Sequence, residues 1–156
     1  MKLSIIIVGK TNETWLANGI EKYFKRIKHY VSFEILTVND KNKGNLKPEE
    51  CKKFEGEKIL SLVNEKDYIC LLDEKGRQFT SLEFSEWINK EFVINRKKIV
   101  FIIGGAYGFS PALYKRANCM LSLSSMTYSH QIIRLFFLEQ LYRTFTILNN
   151  EPYHHT

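Results

Sequence analysis

Apolar runs and polar punctuation alternate regularly along this chain. Residues 3–8 are a nearly continuous apolar run of strand length. Asn12 is placed to cap a following helix, on which Trp15, Ile20, Tyr23, Phe24 and Ile27 share one stripe. Residues 33–38 predict a second strand. The polar stretch 40–45, with Gly44, reads as a mobile loop. Pro48 suits the first turn of a second helix ending near Glu65. Residues 68–72 predict a third strand, closed by the turn Glu74-Lys75-Gly76-Arg77.

The second half repeats the rhythm. Thr80 and Glu83 form a T-x-x-E capping box, which opens a helix carrying Leu82, Phe84, Trp87 and Ile88. Residues 99–103 are apolar throughout, as in a strand of a sheet covered on both faces. Gly104-Gly105-Ala106-Tyr107-Gly108 ends that strand, and Ser110-Pro111 reads as an N-cap followed by Pro at the first helical position. A fifth short strand spans 120–123. The last helix runs from about His130 to Leu148, and residues 149–156 form an irregular tail. Five strand–helix alternations predict one α/β domain over residues 1–156 with a mainly parallel sheet flanked by helices.

The last helix is apolar on nearly every face, with only Arg134, Glu139 and Arg143 charged. Such a helix must be buried all round. Packing one side on the sheet and the other on a second chain is the favoured solution, and enclosure by the long helices of the same chain is the alternative.

Composition narrows the class. The 156 residues carry 23 Lys+Arg and 17 Asp+Glu, a formal charge of +6. Hydrophobic residues at 44% and charged residues at 26% exclude disorder, collagen and coiled coil for the whole chain. The basic balance permits a polyanionic partner without requiring one. Residues 109–156 carry only four Lys+Arg against two Asp+Glu, whereas Lys22, Lys25, Arg26 and Lys28 are concentrated on the first helix. That cluster reads as a solvated face or an RNA-facing one. The initial apolar run ends at Gly9-Lys10, too early for a signal peptide, and no run reaches membrane-spanning length. Cys51, Cys70 and Cys119 are odd in number and widely spaced, which reads as a reduced, cytosolic set without a zinc site.

Three constellations could carry chemistry. The first is Gly104 to Gly108, between a strand and a helix, where glycines let backbone approach a ligand. It is neither a dinucleotide fingerprint, since Ala106 stands where Gly is needed, nor a P-loop, so a plain tight turn competes. The second is Leu121-Ser122-Leu123-Ser124-Ser125-Met126-Thr127-Tyr128-Ser129-His130-Gln131, which leaves the next strand end. Ligands of open α/β sheets bind outside such carboxyl ends, so the two loops should lie side by side. An ordinary Ser/Thr-rich helix cap competes. The third combines His130 and Arg134, Glu139 and Arg143, each pair four residues apart, with the tail Pro152-Tyr153-His154-His155. Tyr can stack on an unpaired base and Arg can hold phosphate. His154 and His155 lack a fixed carboxylate or Cys partner for a metal. No acid is placed to complete a Ser/His/Asp triad, and paired acids at strand ends are limited to Asp73-Glu74.

Together these segments, from Phe101-Ile102-Ile103-Gly104-Gly105 through Glu139-Gln140-Leu141-Tyr142-Arg143 to Pro152-Tyr153-His154, resemble the ribosomal large subunit RNA methyltransferase H family over the whole chain. The resemblance implies a SPOUT α/β fold with a C-terminal trefoil knot, a cytoplasmic homodimer, and methylation of N3 of a pseudouridine in the 23S rRNA of assembled ribosomes. It further implies S-adenosylmethionine bound at Leu72, Gly104, Leu123, Ser124, Ser125, Met126, Thr127 and Tyr128, with neither metal nor membrane involved. His155 departs from the basic residue usual at that point and would weaken a phosphate contact there.

The methyl of a sulfonium is already activated, so the protein's task would be alignment, with the attacking nitrogen about 3–3.5 Å away. His154 or His130 could accept the imide proton, and Arg134 or Arg143 could stabilise charge on the flanking carbonyl oxygens, with Tyr153 beside them. Two other classes compete. One is a non-enzymatic RNA- or ribosome-binding module. The other is a nucleotide-binding oxidoreductase on a flavodoxin-like sheet.

Overall fold

The computed structural model describes residues 2–41, 44–94 and 98–155. Residues 42 and 43 of the expected 40–45 loop, and residue 156 of the tail, lie outside the described residues. Five strands form one parallel sheet in the order β2-β1-β4-β3-β5. They are β1 (Lys2–Val8), β2 (Ser32–Val38), β3 (Tyr68–Gln78), β4 (Ile99–Ile103) and β5 (Cys119–Ser122). The helices are α1 (Thr14–Lys28), α2 (Pro48–Ser61), α3 (Ser81–Ile88), α4 (Pro111–Arg116) and α5 (Ile132–Leu148), and a π-helical turn, Asn89–Ile94, extends α3. The expected parallel α/β sheet flanked by helices is present.

The strand period of two explains the two cores. Ile99, Phe101 and Ile103 of β4 point to one face with Leu3, Ile5 and Ile7, where Phe137, Leu138, Leu141 and Phe145 of α5 cover them. Val100 and Ile102 point to the other, with Ile6, Val8 and Leu113. Central strands buried on both faces read as continuous apolar runs for this reason.

Capping chemistry sets several helix starts. Thr80 Oγ1 accepts from the Glu83 amide at 3.2 Å while Glu83 accepts from the Thr80 amide at 2.7 Å, so the expected capping box forms. Ser110 Oγ accepts from the Leu113 amide and Pro111 opens α4. Asn12, by contrast, is not the cap of α1: Glu13 holds that position, and the Asn12 amide donates to Gln131 Oε1 at 3.0 Å. The helical stripe runs through Leu16, Ile20, Tyr23 and Ile27, which leaves Trp15 off it and 59% exposed. Pro48 opens α2 as expected, but the helix ends at Ser61, short of Glu65.

The largest departure is in β3. The expected turn at Glu74-Lys75-Gly76-Arg77 lies inside the strand, which pairs with Leu121 of β5 twice, once through Leu72 and again through Arg77. The residues between them bulge out of the sheet. Gly76 touches the β5 backbone so closely that a Cβ there would lie 2.6 Å from the Leu121 nitrogen. Polar turn residues thus mark a bulge rather than a chain reversal.

Helix α5 packs against α1 and α3 as well as the sheet. Enclosure within one chain therefore accounts for much of its apolar surface, and Leu135 packs on Gly19 of α1. Phe136 remains exposed and in contact with the Tyr128 ring, 5.3 Å between centroids.

Candidate active site

The carboxyl ends of β3, β4 and β5 surround a cavity of about 620 Å³, a size typical of small-molecule sites. Its walls combine apolar side chains (Leu72, Ile103, Leu121, Leu123) with the backbone of Gly104 and Gly105 and the hydroxyl-bearing loop after β5. The two loops that the strand-end argument placed side by side do line one cavity. Of the expected cofactor positions, Leu72, Gly104, Leu123, Ser124, Met126, Thr127 and Tyr128 line it, and Ser125 does not. Local hydrogen bonds shape the loop: Ser122 Oγ donates to the Ser124 carbonyl at 2.7 Å, and Ser124 Oγ accepts from the Met126 amide at 3.0 Å.

The bulge in β3 brings Asp73, Glu74 and Lys75 to the same cavity. Glu74 accepts from the Thr127 hydroxyl at 2.8 Å, tying the bulge to the loop after β5. Asp73 accepts from the Tyr114 hydroxyl. Burial and that carboxylate push the Tyr114 phenol up to about 12. Glu55 of α2, 3% exposed, supports the glycine loop from below: a Cβ on Gly105 would lie 2.7 Å from Glu55 Oε1. Sequence reasoning missed Glu55 because an acid in a helix reads as solvated. The adjoining Gly56 was the available signal of close approach, since a Cβ there would meet Ser110 Oγ at 2.4 Å.

The candidate catalytic residues separate into three places. His130 lines the cavity. Arg134 is 2% exposed and does not line it; its guanidinium donates to the carbonyls of Val8, Gly9 and His130 and to Thr11 Oγ1. Burial lowers Arg134 to about 10, so it stays a cation at neutral pH. The structure gives it a bracing position, joining the end of β1 to the start of α5.

Arg143, Tyr153 and His154 gather around Glu139 on α5 and the folded-back tail. Glu139 Oε1 accepts from Arg143 Nη2 at 2.6 Å and from the Tyr153 hydroxyl at 3.0 Å. Arg143 Nη1 faces His154 Nδ1 at 3.3 Å, and its guanidinium lies 4.8 Å from the Tyr153 ring centre. Burial, Tyr23 and Glu139 together raise the Tyr153 phenol above its ordinary value. His155 is exposed. None of these residues lines the cavity. Ile133 does, and Arg143 lies ten residues further along α5, about 15 Å by helical rise.

A family model described as "Predicted SPOUT methyltransferase" matches residues 1–154. The chain belongs to the SPOUT methyltransferase family. The ribosomal RNA large subunit methyltransferase H of Parabacteroides distasonis is 49% identical over 156 residues, covering 99% of both chains. The proteins of the same name from Christiangramia forsetii, 50% identical over 99% of both, and Cytophaga hutchinsonii, 46% identical over 99% of this chain and all of its own, are similar throughout. As a SPOUT methyltransferase the chain is an enzyme, and the competing oxidoreductase reading falls away. No described helix is long and apolar enough to cross a membrane, and no group of three metal-ligating side chains occurs among the described residues.

Proposed function

We propose that this SPOUT methyltransferase, acting as a cytoplasmic homodimer of single-domain chains, transfers a methyl group from S-adenosylmethionine to N3 of a pseudouridine in 23S rRNA within the ribosome. The observation that carries the reading is the strand-end cavity, lined by seven of the eight residues that the resemblance assigns to the cofactor. Full-length similarity to methyltransferases named for large-subunit rRNA supports the substrate class.

The cavity fits the cofactor's chemistry. Its apolar side chains can enclose an adenine, and its volume suits a nucleoside with an amino-acid tail. Gly104 and Gly105 let the loop pack closely on its supports at the cavity wall, since Cβ atoms there would meet Phe109 at 3.0 Å and Glu55 at 2.7 Å. When bound, S-adenosylmethionine supplies a methyl already activated on a sulfonium. This chain's residues then orient the accepting base, exclude water and take up the proton that N3 must lose. His130 is at the cavity for that purpose. Arg143, Tyr153 and His154 offer donors and a stacking ring for the base, but none lines the cavity of their own chain, and Arg143 lies about 15 Å of helical rise from Ile133 at its wall. A homodimer that brings the tail of one copy to the cavity of the other joins the two halves. The exposed Phe136, Tyr128 and Met126, beside that cavity, are the apolar surface such a contact would cover.

A trefoil knot is part of the same proposal. The chain leaves β5 at one sheet edge, and Gln131 then bonds to Lys10 and Asn12 beyond β1, with β3 and β4 between. That path crosses the strand ends, as a knotted C-terminal third requires.

Transfer of labelled methyl from S-adenosylmethionine to intact ribosomes, separate subunits and naked 23S rRNA tests the reading. Incorporation at one pseudouridine of 23S rRNA in ribosomes is expected. RNA binding without transfer to any of these substrates would contradict the proposed substrate.

A further inference from the structure

We infer that His154 serves the reaction as a hydrogen-bond donor through Nε2, not as the acceptor of the imide proton, and that Glu139 is the positioning residue that fixes it so. The inference deepens the proposed rRNA methyltransferase function and rests on it.

Glu139 organises the cluster. Its Oε1 holds Arg143 Nη2 at 2.6 Å and the Tyr153 hydroxyl at 3.0 Å, while its Oε2 accepts from Gln140 Nε2 at 2.9 Å. Both carboxylate oxygens are therefore engaged, and Arg143 is held along one edge of its guanidinium plane. Its guanidinium carbon lies over the Tyr153 ring, 4.8 Å from the ring centre. What remains directed at the tail is Nη1, which faces His154 Nδ1 at 3.3 Å.

A guanidinium has five N–H donors, no acceptor, and does not lose its proton in proteins. The contact is a hydrogen bond only if Nδ1 presents a lone pair. A neutral imidazole with its lone pair at Nδ1 carries its hydrogen on Nε2. His154 thus has one nitrogen already accepting from Arg143 and the other without a free lone pair. It has nothing left with which to take a proton from N3, but it has an N–H to give.

That donor suits the chemistry. N3 of a pseudouridine lies between two carbonyls, and negative charge builds on their oxygens as the N3 proton leaves. Nε2–H of His154 and the remaining N–H groups of Arg143 form a preorganised pair of donors for one of those oxygens. The proton goes to another acceptor, and His130 is the histidine that lines the cofactor cavity.

The test uses the full-length protein labelled with ¹⁵N-histidine. Long-range ¹H–¹⁵N correlation distinguishes the two imidazole tautomers, and His154→Gln assigns the His154 signals. The expected pattern is a single Nε2–H tautomer, replaced by an averaged one in Glu139→Gln. An Nδ1–H tautomer, or averaging already in the unsubstituted protein, would overturn the inference. Methyl transfer adds a second arm, because a glutamine amide donates but cannot act as a base. His154→Gln is expected to keep kcat within about tenfold while His154→Ala loses about a hundredfold. Equal loss in both variants would count against a donor role. Failure of the unsubstituted protein to methylate ribosomes would instead sink the proposed function, and the tautomer measurement would still decide the state of His154.

Discussion

Arg134, in the first turn of α5, donates from Nη2 to the carbonyl of Val8, the last residue of β1, at 2.5 Å. Three more bonds, to Gly9, Thr11 and His130, complete a bracket between elements far apart in sequence. Arg134→Met would leave buried carbonyls without donors, and we expect a loss of about 2–4 kcal/mol in urea unfolding. Methyl transfer by that variant should recover on cooling. A hundredfold drop in kcat with unchanged stability would instead make Arg134 a catalytic residue.

Gly105 tests the support that α2 gives to the cofactor loop. A Cβ there would lie 2.7 and 2.9 Å from the carboxylate oxygens of Glu55, whose side chain is buried. Gly105→Ala should weaken S-adenosylmethionine binding by tenfold or more as measured by calorimetry, in proportion to a strain of about 1–3 kcal/mol. Gly105→Ala combined with Glu55→Ala should regain part of the loss. A double variant no better than the single one would show that the two residues are not coupled.

Tyr114 gives a pH prediction. Its phenol is raised from 10 to about 12 by burial and by the bond to Asp73. A folded-state pKa above the unfolded one gives stability that is complete below pH 10 and lost as pH rises towards 12. Tyr30, Tyr68 and Tyr153 are shifted in the same direction, so the wild-type curve falls through several groups. Tyr114→Phe should therefore show a shallower fall between pH 10 and 12. Superimposable slopes would remove Tyr114 from the alkaline transition.

Phe136, 42% exposed and in contact with Tyr128, tests the proposed interface. Light scattering should give twice the 18.4 kDa of one chain for the unsubstituted protein. Phe136→Asp should give 18.4 kDa, a folded circular dichroism spectrum and no methyl transfer. A Phe136→Asp variant that remains dimeric and active would place the interface elsewhere.

Much of this fold is legible in the sequence because the central strands are apolar on both faces. Residues 99–103 could be read as a buried strand, and Ser110-Pro111 and Thr80/Glu83 carry their own capping chemistry. The bulge at residues 73–76 was not legible, since Gly and charged residues signal a turn and a bulge alike. Trp15 misled because it immediately precedes Leu16, the buried member of the stripe. In the site, the two strand-end loops follow from alternation alone. The bracing position of Arg134 does not, because its partners are backbone carbonyls of β1 and the following loop, which leave no mark in side-chain patterns. Glu139 was visible as an ion-pair partner of Arg143, but its bond to Tyr153 depends on how the tail folds back.

In the proposed dimer the cofactor cavity of one copy works with the Glu139–Arg143–His154 cluster of the other. Mixing two variants tests this pairing most directly. Gly104→Val presses on Phe109 and distorts the cavity wall, His154→Ala removes the tail donor, and each alone should be nearly inactive in methyl transfer to ribosomes. Co-expressed, they form heterodimers in which one intact cavity meets one intact tail, and activity should return to a substantial share of the unsubstituted level. A mixture no more active than its two components would contradict the claim and place both halves of the site within one chain.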